Sequence, residues 1–291
     1  MWPLTGLVRV SAEVYLKYLI VLLLSITVNV NAAEIAAPAS LESVYQQDMF
    51  HYYRGDEIKM MLAGETEFAA LFRDRTSAMA KGVAILLPDW HMPANNHYGL
   101  DFLRTELNEY GWISYAMNIP DPIAFYNNDI QADPTVFHAP ALAILNKDDL
   151  AAYKLQLLSR FKALYQSALN HPGFIVVIAQ GASSSLLVEY FSEEAEEEVD
   201  AFVFLSSYLP DPELNYTLNQ RFAKVSAPVL DIFTSEDSNL VKTTLQQRKK
   251  MATKEHKINY RQRELFSSQQ NPRQQARLLK EIYGFLTKIG I

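Results

Sequence analysis

The chain has 291 residues, of which 49% are hydrophobic and 20% are charged, and it contains no cysteine. These values are ordinary for a globular protein of one or two domains, and the length allows a full hydrophobic core without disulfides or a structural metal. The formal net charge of −7 gives no electrostatic reason to expect nucleic-acid or anionic-membrane binding.

The first 32 residues have the composition of a secretory signal peptide. Arg9 and Lys17 precede an apolar run from Tyr18 to Val28, and small residues suited to cleavage follow up to Ala32. The run is shorter than the apolar stretch of about 20 residues that spans a bilayer, so an uncleaved anchor is the weaker alternative. Cleavage would remove two basic residues and one acidic residue and change the net charge to −8. We therefore expect an exported, disulfide-free periplasmic protein with no membrane span after cleavage.

The expected mature chain begins with a short segment that precedes a single domain. This segment, 33–45, is rich in small residues without periodicity and predicts a flexible lead-in to a domain over 46–291. Within the domain, the pattern of strands and helices fails over 120–146, where aromatic residues and prolines are frequent. Loops of this length usually cover a site or carry local helices, so the insertion is either a lid or an inert excursion.

Apolar strands and amphipathic helices alternate through the domain. Short strand–helix–strand connections imply parallel pairing with right-handed crossovers. We therefore predict an α/β fold with a mostly parallel central sheet and helices on both faces, as a three-layer sandwich. Strands are predicted over 57–62, 68–73, 83–87, 112–119, 174–178, 201–205, 228–233 and 257–265, and helices over 100–110, 150–168, from near 183, 213–224, 240–251 and 274–286.

The central feature is a strand–turn–helix junction that follows an apolar run from Phe174 to Ile178, which suits a strand buried on both faces. Two registers of the turn are open. In the favoured register the turn residue is Gly181, because the apolar run stops at Ile178, and Ser183 lies in the first helical turn. In the other register the strand continues through Gln180 and Ser183 occupies the turn.

These features resemble the α/β-hydrolase superfamily. The closest resemblance is to a group of exported proteobacterial hydrolase-like proteins that carry a domain of unknown function and lack a complete catalytic triad. The similarity covers most of the mature chain and implies an α/β-hydrolase fold. It rests on the passages 81–90, 103–120 with Gly111-Trp112, the Gln180-Gly181-Ala182 turn and 228–231.

The resemblance assigns a place to each part of a serine-hydrolase site. The nucleophile position falls on Gly181. The acid falls on Asp237, after the seventh predicted strand, where it could instead cap the next helix. The oxyanion loop falls on Pro88 and Asp89, where proline offers no N–H and a carboxylate would repel an oxyanion. The base should follow the last strand, but 266–271 contains no histidine.

A displaced catalytic site is the alternative. Ser183 would then be the nucleophile, with His91 or His97 as the base. Asp89 or Asp237 would orient that base. The chain has six histidines in scattered positions, so combinations of this kind are expected by chance.

The favoured interpretation is an exported binding or envelope-associated module with a degenerate active site. The alternative is a periplasmic esterase or peptidase whose nucleophile is Ser183. The sequence has no dinucleotide, P-loop or EF-hand motif, and His91-x5-His97 is not a recognised zinc spacing, so no cofactor or metal is expected. The expected partner is an unknown small molecule or envelope component rather than a nucleic acid.

One carboxylate stands inside a predicted strand. Asp231 interrupts the apolar run over 228–233, and burial of a carboxylate is costly unless it is paired or hydrogen-bonded. We expect a structural role for it, with a buried partner such as Arg221 or Lys224.

Overall fold

The computed structural model describes residues 39–121, 147–193 and 195–291. The predicted signal peptide lies outside the described residues, as does the predicted insertion over 120–146 apart from its first two residues. The described strands are β1 (Ile58–Ala63), β2 (Thr66–Arg73), β3 (Gly82–Leu87), β4 (Trp112–Met117), β5 (Phe174–Gln180), β6 (Ala201–Leu205), β7 (Val229–Thr234) and β8 (Tyr260–Leu265).

These strands form one sheet in the order β1-β2-β4-β3-β5-β6-β7-β8. β2 pairs antiparallel with both β1 and β4, and every pair from β4 to β8 is parallel. In a parallel sheet the carboxyl ends of the strands meet at one edge, where ligands bind in folds of this class. The loops after β3, β5, β6, β7 and β8 therefore share one edge.

Helices cover both faces of the sheet, so the predicted α/β sandwich is confirmed. Successive side chains of a strand point to opposite faces, and in β3 Ile85 packs into one core whereas Leu86 packs into the other. The described helices are α1 (Leu41–Tyr52), α2 (Leu100–Glu106), α3 (Lys147–Ala168), α4 (Gly181–Glu193), α5 (Pro212–Lys224), α6 (Asn239–Lys254) and α7 (Pro272–Ile289). The first core includes α3, α4 and α5, and the second includes α1, α2 and α7.

Some boundaries differ from the sequence prediction. Helix α1 begins at Leu41, within the segment 33–45 predicted as a flexible lead-in, because the Ser40 hydroxyl oxygen accepts a hydrogen bond from the N–H of Ser43 and caps the helix. β5 continues through Gln180, two residues beyond the predicted end, because these residues pair with β6.

The described residues between Ser40 and Ile291 belong to one compact unit. Among the described helices, none combines the length and the apolar character needed to cross a membrane.

The buried carboxylate of Asp231 has a different partner from the one predicted. Arg248 of α6 lies 3.5 Å from it, and both side chains are fully buried. The Tyr260 hydroxyl also donates to Asp231 at 2.7 Å. Arg221, one of the predicted partners, instead forms an ion pair with Glu189 at 2.5 Å. The packing of α6 against the sheet brings Arg248 to Asp231, and the sequence pattern does not reveal this tertiary contact.

Candidate functional site

The turn after β5 is the centre of the candidate site. β5 ends at Gln180 and α4 begins at Gly181, whose φ is +54°. Residues with side chains rarely adopt this left-handed conformation, whereas glycine adopts it without steric cost. Glycine therefore suits a turn in which the chain passes from strand to helix within one residue.

The side chain of Asp89, in the loop after β3, reaches the start of α4. Its Oδ1 atom accepts hydrogen bonds from the backbone N–H of Ala182, at 2.8 Å, and from its neighbour Trp90, at 2.9 Å. The Tyr208 hydroxyl donates to Oδ2 at 3.1 Å. The N-terminal end of α4 also favours a negative charge at this position.

The surroundings of Asp89 change how it binds protons. Burial raises the pKa of Asp89, and the hydrogen bonds from Ala182, Trp90 and Tyr208 partly oppose that effect. Burial also raises the pKa of Tyr208, and the negative charge of Asp89 adds to it. Tyr208 is therefore a neutral hydroxyl donor to this carboxylate.

A second carboxylate lies at the same edge, after β7. Oδ1 of Asp237 accepts hydrogen bonds from the hydroxyl groups of Ser206, at 3.0 Å, and Thr234, at 2.8 Å, and Oδ2 accepts the N–H of Thr234 at 2.8 Å. Ser206 directly follows β6 and has a φ of +53°, which is uncommon for a residue with a side chain. Asp237 does not cap α6, whose N-cap residue is Ser238.

Neutral amide side chains form a chain of hydrogen bonds from the loop after β8, through the end of β5, to the loop after β3. Gln269, in the loop after β8, donates through Nε2 to the Ser206 hydroxyl at 3.4 Å. Gln180 donates to Oε1 of Gln269 at 3.3 Å, and Asn96 donates to Oε1 of Gln180 at 3.0 Å. An amide has no basic nitrogen, so Gln269 cannot take a proton from a hydroxyl as an imidazole does.

These groups surround a cavity of about 730 Å³ at the carboxyl edge of the sheet. Ligand pockets usually lie at this edge and have volumes of about 300–1,000 Å³. The lining includes Asp89, Gly181, Ser206, Asp237 and Gln269. The cavity is therefore the candidate ligand site of the described residues.

The structure places Ser183 away from this cavity. Ser183 lies in the first turn of α4, its side chain is fully buried, and it is not among the residues that line the cavity. Its role as a nucleophile stays a prediction. Asp89 lies next to the turn at Gly181, and both Asp89 and Asp237 line the cavity.

The candidate histidines also lie apart from the lining. His91 is exposed, its ring centroid is 5.1 Å from that of Trp90, and burial of part of the ring lowers its pKa. The carbonyl oxygen of His97 accepts a hydrogen bond from Gln275. Neither histidine lines the cavity. Pro88 is buried directly before Asp89 and, as a proline, supplies no N–H.

Sequence reasoning missed four residues of the site. Ser206 and Tyr208 directly follow the strand predicted over 201–205, and their position at the carboxyl end of a parallel strand was a usable signal. Gln180 stands in the turn passage and Gln269 in the segment 266–271 where a base was expected, but an amide side chain does not by itself indicate a site. In the described part of the chain, no group of histidine, aspartate and glutamate side chains could hold a metal ion.

A family model described as "Protein of unknown function (DUF3530)" matches residues 27–288. The chain belongs to this family. No curated protein matches the sequence. The family assignment agrees with the predicted resemblance to a hydrolase-like domain of unknown function.

Solved structures show which fold this DUF3530 chain has. Est1E from Butyrivibrio proteoclasticus is 11% identical with a TM-score of 0.57, over 80% of this chain and 98% of that chain. The esterase Pf2001 from Pyrococcus furiosus is 11% identical with a TM-score of 0.55, over 83% and 92% of the two chains. A dienelactone hydrolase from Anabaena variabilis is 11% identical with a TM-score of 0.53, over 80% and 98%. At this identity the similarity establishes the α/β-hydrolase fold alone.

Asp89 accepts hydrogen bonds from the two backbone positions at which α/β-hydrolases bind an oxyanion. In α/β-hydrolases, the N–H of the residue after the nucleophile and an N–H from the loop after the third strand bind the oxyanion of the reaction. In this DUF3530 chain, Ala182 follows the turn residue and Trp90 lies in the loop after β3. Both of these N–H groups donate to Asp89.

Proposed function

We propose that this protein is an exported α/β-hydrolase-fold protein that binds a small molecule in the cavity at the carboxyl edge and does not hydrolyse it by serine chemistry. The observation that carries the proposal is the pair of hydrogen bonds from Ala182 and Trp90 to Asp89. A donor pair that already binds a carboxylate is not available to a substrate carbonyl, and the carboxylate would repel a developing oxyanion.

The other two parts of a serine-hydrolase site support the same proposal. Gly181 has no side chain to attack an ester, and Gln269, which follows the last strand, has no basic nitrogen. Asp237 is present, but its oxygens accept hydrogen bonds from Ser206 and Thr234. Among the described residues at these three positions, Asp237 alone has the chemistry of its triad counterpart, and an acid without a base gives little rate acceleration.

Activity probes test this proposal. The protein is incubated with a fluorophosphonate probe and, separately, with a short-chain aryl ester. We expect no covalent labelling and no ester turnover above a heat-denatured sample. Labelling that disappears in Ser183→Ala would instead support the serine-hydrolase alternative, and labelling that disappears in Ser206→Ala would identify a hydrolase site at the cavity.

Export is part of the proposal and has its own test. The charged start, the apolar run and the small residues of the first 32 positions support it. Expression of the full chain in a Gram-negative host, fractionation and N-terminal sequencing should give a periplasmic protein that begins near Ala33. An uncleaved protein in the membrane fraction would contradict export by a cleaved signal peptide.

A further inference from the structure

We infer that the cavity binds a small organic cation, namely an amine or quaternary ammonium group attached to an apolar portion. This inference rests on the proposed function, because it specifies the ligand of the same cavity. It follows from the charges that line the cavity, from the groups that hold those charges, and from the aromatic and apolar side chains around them.

The charged lining of the cavity is entirely acidic in the part of the chain that the structure describes. Asp89, Glu236 and Asp237 line it, and no lysine or arginine does. None of these carboxylates forms an ion pair with a described lysine or arginine. A cleft lined by one sign of charge focuses its field and concentrates ligands of the opposite sign.

Neutral donors hold these carboxylates in place. Asp89 accepts from two backbone N–H groups and the Tyr208 hydroxyl, and Asp237 accepts from Ser206 and Thr234. Such hydrogen bonds fix the position of a carboxylate and stabilise it in part, but they supply no full positive charge. A cationic ligand would supply that positive charge.

The remaining lining suits the rest of such a ligand. Tyr98 and Tyr208 are aromatic side chains, and the face of an aromatic ring attracts an ammonium group. Met92, Leu205 and Leu240 add apolar surface. An ammonium group beside the carboxylates and an apolar portion against these side chains would therefore satisfy both parts of the lining.

Three probes with one phenyl group but different charge test this inference: 2-phenylethylamine, 2-phenylethanol and phenylacetate. Binding of each to the full protein is measured by calorimetry at low ionic strength. We expect saturable binding of the amine, at least about tenfold weaker binding of the alcohol, and no detectable binding of phenylacetate. Higher ionic strength should weaken binding of the amine and leave that of the alcohol unchanged.

Matched variants locate the binding site. Asp237→Asn is expected to weaken amine binding at least about tenfold. Glu236 is exposed and accepts one hydrogen bond, from Ser267, so Glu236→Gln should fold normally and weaken the amine severalfold. Glu65→Gln removes an exposed carboxylate in the turn between β1 and β2 and should leave the affinity unchanged.

The outcomes separate this inference from the proposed function. Equal or tighter binding of phenylacetate, equal effects of Glu65→Gln and Glu236→Gln, or an amine dissociation constant above about 10 mM would overturn the cationic-ligand inference. None of these results bears on whether the protein hydrolyses esters, which the fluorophosphonate and aryl-ester assays decide.

Discussion

The carboxylate of Asp89 occupies the space that a side chain on residue 181 would need. A Cβ atom on Gly181 would lie 2.1 Å from Cγ of Asp89 and 2.3 Å from each of its two oxygens. The backbone independently favours glycine, since its φ of +54° is in the left-handed region. A side chain at residue 181 and the present position of the Asp89 carboxylate therefore exclude one another.

This steric exclusion predicts that variants with a side chain at residue 181 are less stable than the wild type. Gly181→Ser should lower the free energy of unfolding by about 2–4 kcal/mol, because it adds backbone strain and displaces the hydrogen-bonded Asp89 side chain. Gly284 in α7 is the control, since no atom lies within 4 Å of a Cβ there. Gly284→Ala should raise the free energy of unfolding by about 0.5–1 kcal/mol. Urea denaturation measures both.

A double-mutant cycle separates the steric part from the backbone part. Asp89→Ala opens the space beside residue 181, so Gly181→Ser should cost less in that background by about 1 kcal/mol or more. The strain of positive φ should persist in both backgrounds. Strictly additive losses of stability would show that Asp89 does not limit what residue 181 can be.

The pKa of Asp89 predicts a pH dependence of stability. Burial raises this pKa above its ordinary value of 3.8, so above about pH 4 the native state binds this proton more tightly than the unfolded state. The stability contribution of Asp89 should therefore fall as the pH rises from 4 towards 7. Tyr153 and Tyr208, which interact with Asp89, have raised pKa values and stay neutral in this range.

The measurement compares the wild type with Asp89→Asn, which carries no charge at any pH. The free energy of unfolding of the wild type minus that of the variant should decrease from pH 4 to pH 7. Glu65→Gln, at an exposed position, should show no such slope against the wild type. A difference that grows with pH would mean that the hydrogen bonds to Asp89 outweigh its burial.

Breaking the buried pair of Asp231 and Arg248 should lower the free energy of unfolding more than breaking a partly exposed pair. Asp231→Ala should lower the free energy of unfolding by about 3–5 kcal/mol, because it leaves the Arg248 guanidinium buried without its carboxylate partner. The partly exposed pair of Arg263 and Glu281 is the control. Glu281→Gln should cost less than about 1 kcal/mol. Similar losses in the two variants would argue against a special cost of the buried charge.

The fold was largely predictable because its signals are local. The apolar runs of β3 and β5 are buried on both faces, and this burial is what marks a parallel strand in a sequence. The pairing of β2 between β1 and β4 was not predictable, since it depends on contacts between segments far apart in the chain. The extension of β5 to Gln180 has the same cause, because it depends on pairing with β6.

The site was predictable only in part. The sequence predicted Gly181 at the turn and showed that 266–271 has no histidine. Both can be read from a short segment of the chain. The sequence did not show that Asp89 would accept hydrogen bonds from Ala182 and Trp90, because this arrangement requires the loop after β3 to meet the start of α4 in space. The direction of a side chain across a sheet edge is a tertiary property that local patterns do not encode.

If the cavity is a hydrolase site without its reacting groups, restoring those groups should restore reactivity. The triple variant Asp89→Gly, Gly181→Ser and Gln269→His would remove the carboxylate from the backbone donors and add a hydroxyl at the turn. It would also place an imidazole after β8 beside Ser206, whose hydroxyl donates to Asp237. We expect this variant to be labelled by a fluorophosphonate probe. The matched double variant that retains Gln269 should show much weaker labelling, because its serine would lack a base. A folded triple variant, judged by its circular dichroism and unfolding transition, that reacts no faster than the double variant would contradict the assignment of Gln269 to the position of the base.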